Sequence, residues 1–176
     1  NAFLRRKDLL NEKRFPTEGS PILAQVIKSD TDMKGALITE KISMFGKYAV
    51  TLSGTGYIGV SKKIRQESVR KRLKEIGKEI CAEHMGLIIR TTAENADMDE
   101  FRKDITRLKE NWDIIQKRFR MEKSPTLLYR ESDIIVKALR DYVNKGMEIL
   151  ITDNRKIYER ICKLNESEHT IEPDKI

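Results

Sequence analysis

Large apolar residues recur along this chain with two periods. Phe101, Ile105, Leu108, Trp112, Ile115 and Phe119 are spaced 4, 3, 4, 3 and 4 apart, which is one stripe of a long helix. Asp97 stands three residues before Glu100, a capping box with Asp in place of Ser or Thr, so the helix is expected to open there. An earlier stripe, Val69, Leu73, Ile76 and Ile80, marks a helix over residues 67–85 closed at Gly86 as its C′ residue. Arg70, Lys71, Arg72, Lys74 and Lys78 lie on its other faces. Shorter apolar runs read as strands. Residues 22–28 and 35–42 form a hairpin around a turn at 29–34. Residues 48–52 and 57–64 form a second pair joined by Ser53-Gly54-Thr55-Gly56. Residues 87–92 are a further strand, and residues 2–4 read as the end of one.

After Pro125 the pattern predicts an extended segment at 127–129, then a helix over 134–144 capped by Ser132 or Asp133 and closed at Gly146. A strand at 147–151, a helix at 155–164 and a polar tail from Asn165 complete the chain. The central order of strand, strand, helix, strand describes a small α/β module within an α+β chain. The stripe from Phe101 to Phe119 is expected to pack on that module's sheet. The alternative is a coiled-coil face that makes the chain a structural, oligomerising module through Trp112.

The chemistry concentrates in GLIIRTTAE, residues 86–94. A buried run ends there at Arg90, followed by Thr91 and Thr92. A guanidinium pinned by its stem at a strand end presents a planar fork of donors, and a threonine hydroxyl adds one that rotates; together they suit phosphate oxygens. On spacing alone an arginine reaching solvent or an acidic neighbour is the plainer reading. No H-x-x-x-H, C-x-x-C or phosphate-loop motif occurs, and His84 and His169 have no paired nucleophile, so no catalytic or metal-binding residue is assigned. Asp153-Asn154 fits a strand-ending turn better than a magnesium site.

Residues 86–93, taken with KGALIT (34–39) and ISMFGKY (42–48), resemble the ribonuclease E/G family of bacterial endoribonucleases. Its K-G-A-x-L/I-T, I-S-x-x-G-x-Y and G-L-I-x-R-T segments occur in this order. The resemblance continues through Trp112, Pro125, Leu127-Leu128-Tyr129, Glu131-Ser132 and Arg140-Asp141-Tyr142. It implies the last strands of an OB-type RNA-binding barrel over residues 1–40, a mixed α/β 5′-sensor module over 41–135, and part of an RNase H-like subdomain over 136–176. The abrupt start at Asn1 is then expected to be an excision from a longer enzyme. The resemblance makes Arg90 a clamp and Thr91 a hydroxyl donor for a terminal 5′-monophosphate, with backbone groups at Gly46 and Val50 as the wall. It places an RNA-contacting lysine at Lys34, a stacking phenylalanine at Phe3, and a basic pair at Lys62-Lys63 where the family usually has arginines. It implies single-stranded RNA as partner and a homo-oligomer in the complete protein. Magnesium is expected only for the complete enzyme, on acids of a DNase-like domain, and this portion is expected to be inactive alone.

Composition agrees and adds little. Hydrophobic residues make up 39% and charged residues 36% of 176, enough for a core under a heavily solvated surface. The net charge of +7 favours a polyanion, either nucleic acid or an anionic membrane surface. The basic residues are spread over several elements, which favours nucleic acid. No apolar run approaches the ~20 residues that span a bilayer, and residues 5–7 begin no secretory signal. Cys81 and Cys162 are expected to be free thiols in a reducing, cytoplasmic setting.

Overall fold

The apolar runs assemble into two mixed sheets backed by helices, in a computed structural model that describes residues 1–31, 33–81, 85–130, 134–142 and 149–168. The chain is α+β and divides into two units, Asn1–Tyr129 and Arg130–Ile176. Among the described residues no helix is long and apolar enough to cross a membrane.

The first sheet has the order β1 (Ala2–Leu4), β3 (Ala36–Thr39), β2 (Gln25–Lys28). β2 and β3 are the expected antiparallel hairpin, and β1 joins β3 in parallel with Phe3 opposite Leu37. Among the described residues this sheet stays open rather than closing into a barrel.

The second sheet has the order β4 (Ser43–Phe45), β5 (Ala49–Ser53), β7 (Met85–Ile89), β6 (Ile58–Val60). The expected pairing of the strands at 48–52 and 57–64 is therefore incorrect: β7 lies between them, antiparallel to β5 and parallel to β6. The reason is the crossover helix α1 (Glu67–Ile80). A parallel pair needs a long connection, and β6–α1–β7 lets the apolar stripe of α1 cover the sheet. Leu73, Ile76, Leu87 and Ile89 meet in that core. β4 carries no strand signal, because only Met44 of its three residues is buried. Gly86 does not close α1 either. The helix stops at Ile80, and Gly86 lies within β7, where a Cβ would sit 3.0 Å from the carbonyl oxygens of Thr55 and Tyr57. The glycine admits the passing loop rather than a left-handed cap. His84 lies outside the described residues.

Helix α2 (Met98–Met121) packs on the same sheet. Phe101, Ile105, Leu108 and Ile115 are buried and Trp112 packs against that core, so the stripe is a core face as far as Ile115, while Phe119 is half-buried outside that cluster. Asp97 caps the helix as expected, its Oδ1 accepting from the N–H of Asp99 at 2.8 Å and of Glu100 at 3.4 Å. Asp97→Ala is expected to cost about 1 kcal/mol and to lower Tm by about 2–4 °C. An unchanged melting curve would show that these amides find other partners. The extended segment at 127–129 is held from α2: the Arg118 guanidinium donates to the carbonyls of Leu127 and Leu128.

In the second unit, α3 (Ile134–Tyr142) and α4 (Arg155–Glu168) bury Ile161 among Ile135, Leu139, Leu150 and Ile157. Asn154 caps α4, its Oδ1 accepting from the N–H of Lys156 at 3.0 Å and of Ile157 at 3.2 Å. The Asp153-Asn154 pair thus begins a helix. α4 continues to Glu168, past the point where the polar tail was expected to begin, because Asn165-Glu166-Ser167-Glu168 contains no helix-breaking Gly or Pro. Glu131, Ser132, Asp133, Gly146, Met147 and residues 169–176 lie outside the described residues; residues 149–151 are described and have no strand structure.

Candidate functional site

Because β5 runs antiparallel to β7, with Ala49 opposite Ile89, the β4–β5 turn and the end of β7 fall side by side. The turn closes on itself through the Gly46 N–H, which donates to the Ala49 carbonyl at 2.8 Å. From the β7 side, the Arg90 N–H donates to the Tyr48 carbonyl at 2.8 Å. Arg90 Nη1 donates to the Gly46 carbonyl at 2.9 Å, and Thr92 Oγ1 to the Lys47 carbonyl at 2.6 Å. Arg90 is half-buried just past the end of β7, and Thr91 beside it is exposed. The guanidinium is therefore aimed by backbone oxygens rather than left to sweep solvent, which lowers the conformational cost of presenting its fork.

Helix α2 holds the turn from the opposite side. Asp104, 6% exposed, accepts from the Tyr48 N–H at 2.8 Å through Oδ2 and from Arg107 Nη2 at 2.9 Å through Oδ1. A Cβ on Gly46 would lie 2.7 Å from Asp104 Oδ1 and nearer still to Oδ2, so the carboxylate occupies the space a side chain would need. Glu100 accepts from the Tyr48 hydroxyl rather than reaching back to its own helix cap. The Lys47 ammonium sits 3.9 Å from Glu100 and 5.1 Å from the Tyr48 ring centre, and Tyr48 meets Phe101 edge to face at 6.4 Å.

Burial first, and the Glu100 carboxylate second, hold the Tyr48 phenol well above the ordinary tyrosine range. A folded-state pKa above the unfolded one means stability that is complete below the unfolded value and is lost as pH rises. Thermal stability is expected to fall above pH ~10, the unperturbed tyrosine value, and Tyr48→Phe is expected to flatten that loss. An alkaline profile identical in both proteins would assign the loss elsewhere.

The structure brings Gly46, Arg90 and Thr91 together. Val50 is one strand step away, paired with Phe45 on one side and Ile88 on the other. The Gly46 amide is spent on the turn, the Val50 backbone lies in a central strand, and Thr91 is exposed beside the half-buried Arg90. Lys62 and Lys63 are exposed at the same end of the sheet, since Val60 lies opposite Ile89 and the Ser61 N–H donates to the Ile89 carbonyl at 2.8 Å. Lys34 and Phe3 belong to the other sheet. Lys34 is exposed in a turn closed by mutual backbone bonds with Thr31 at 2.9 and 3.1 Å, and Phe3 is 61% exposed on β1. Three further residues shape the turn without being evident from motif spacing: Lys47, Thr92 and Asp104. Asp104 alone had a signal, a carboxylate on the apolar side of the stripe between Phe101 and Ile105.

Residues 43–176 match the model of the Ribonuclease E/G family. The chain is 33% identical to Ribonuclease G of Escherichia coli K12 over 146 residues, covering 83% of this chain and 30% of that protein. It is 32% identical to Ribonuclease E of a Synechocystis strain over 170 residues, covering 92% of this chain and 25% of that protein. A Ribonuclease E/G-like protein of Pyropia yezoensis is 35% identical over 133 residues, 76% of this chain and 26% of that protein. The chain belongs to the ribonuclease E/G family, and it spans about a third or less of the length of these relatives.

Proposed function

We propose that the Arg90 site binds the 5′-monophosphate of single-stranded RNA, and that this chain is the end-sensing, RNA-binding portion of a ribonuclease E/G-type endoribonuclease acting in RNA processing and decay. The observation that carries the reading is the Arg90 guanidinium docked 2.9 Å from the Gly46 carbonyl at the end of a buried strand, with the exposed Thr91 hydroxyl next in sequence. Arg90 supplies permanent charge and a planar fork, and Thr91 a rotatable donor, so a dianionic terminal phosphate gains contacts that a 5′-hydroxyl lacks. Asp104 and Thr92 hold the turn that aims the guanidinium. Lys62 and Lys63 attract the following phosphates through a salt-sensitive, sequence-independent field. Phosphoester hydrolysis by the complete enzyme is expected to use magnesium. The described residues do not fit such an ion, since no cluster of three acidic, histidine or cysteine side chains forms among them.

The test is fluorescence anisotropy with one short single-stranded RNA carrying either a 5′-monophosphate or a 5′-hydroxyl, at one fixed salt concentration. The monophosphate is expected to bind more tightly. Equal affinities overturn the reading and leave a basic surface on a structural module.

A further inference from the structure

The second sheet has two unlike faces. One is sealed by α1 and α2 over Met44, Ala49, Leu87 and Ile89. On the other, a single cross-strand row runs through all four strands: Phe45 opposite Val50, Val50 opposite Ile88, and Ile88 opposite Gly59. Phe45, the last residue of β4, is 43% exposed and Ile88, inside β7, is 39% exposed, although both are large apolar side chains in regular strands. Gly59 explains the fourth place. A Cβ there would lie 2.7 Å from Cε1 and 3.0 Å from the hydroxyl of Tyr57, so the missing side chain lets the tyrosine ring lie over the sheet. That ring is 65% exposed, yet its backbone is fixed, with its N–H donating to Thr55 Oγ1 at 2.9 Å and its carbonyl accepting from the Leu87 N–H at 2.8 Å.

We propose that this outward face is a stacking floor for the unpaired bases that follow an RNA 5′ end, with Phe45 and Tyr57 as the stacking side chains at its two edges. Three features favour RNA bases as the occupant. The row and its neighbour, Ser43–Leu52–Gly86, contain no carboxylate. The sheet end that borders the row carries Lys62, Lys63 and Arg90, so an apolar floor is bordered by cations, as a single strand's bases and phosphates require. Four-stranded sheets bearing exposed aromatics are a recurrent way of reading unpaired RNA. At ~4.8 Å per strand the row is some 14 Å wide, so the two rings address different nucleotides. The direction of the strand, with its end at Arg90, rests on the function proposed above; the stacking does not.

The experiment is anisotropy with 5′-monophosphorylated and 5′-hydroxyl RNA, each intact or abasic throughout, on the parent chain, Phe45→Ala, Tyr57→Ala and Tyr57→Phe. Phe45→Ala and Tyr57→Ala are each expected to weaken intact RNA about 5- to 150-fold, the range for one lost base–aromatic stack. Both are expected to bind the abasic RNA as the parent does, while Tyr57→Phe retains parental affinity. If these losses occur with no preference for the monophosphate, the stacking floor stands and the end-sensing reading fails. Parental affinity in both alanine variants alongside an intact monophosphate preference overturns the floor and leaves the end sensor. Equal losses on intact and abasic RNA, or a loss that accompanies a change of molecular mass by light scattering, also overturn it, the second because the face then joins copies of the chain.

Discussion

Arg90→Ala is expected to weaken binding of a 5′-monophosphorylated single-stranded RNA about 10- to 150-fold, corresponding to one charge-assisted contact of ~1.5–3 kcal/mol. Binding of the 5′-hydroxyl form is expected to be nearly unchanged. Arg90→Lys is expected to fall between, since lysine keeps the charge and loses the planar fork. The guanidinium also ties down the Gly46 carbonyl, so the control is the hydroxyl RNA rather than stability alone. Equal loss for both RNAs, in a chain that still unfolds like the parent, would leave Arg90 only a general electrostatic role.

Gly46→Ala is expected to be the most damaging single methyl group at the site. The new Cβ meets the Asp104 carboxylate, which is buried and already bonded to the Tyr48 N–H and to Arg107. Either the turn or α2 must give way, and overpacking of this kind costs about 1–3 kcal/mol. Displacing the turn also removes the carbonyl that aims Arg90, so the monophosphate preference is expected to disappear with the lost stability. Asp104→Ala alone leaves a buried amide without its acceptor, at about 1–3 kcal/mol. In the double variant the clash is gone, so the combined destabilisation is expected to fall short of the sum of the two. Urea unfolding of the four proteins measures this. Strict additivity would show that Gly46 and Asp104 are not in contact.

The helices were the most legible part of the chain. The spacing from Phe101 to Ile115 repeats over several turns, and each position can be checked against the next. Asp97 was legible because a cap is local chemistry. Strand order was not, since the apolar runs at 48–52 and 57–64 look alike whether they pair with each other or flank a third strand. What decides is the long connection through α1, which brings β7 between them. Gly86 misled for a related reason: a glycine after a helix and a glycine under a crossing loop have the same letter, and only the carbonyls of Thr55 and Tyr57 distinguish them. At the site, Arg90 and Gly46 were legible through motif resemblance, whereas Thr92 and Lys47 act through a backbone carbonyl and an acidic neighbour that spacing does not reveal. The row from Phe45 to Gly59 was illegible, because it draws one residue from each of four strands.

The most direct test of the central claim is the NMR signal of the Arg90 side-chain Nε–H, assigned by its loss in Arg90→Lys. It would be followed while a 5′-monophosphorylated and then a 5′-hydroxyl dinucleotide of one sequence are added. The account predicts a saturable shift with the monophosphate and almost none with the hydroxyl form. A signal that stays in place while the monophosphate perturbs other parts of the chain, or that moves equally with both, would contradict it.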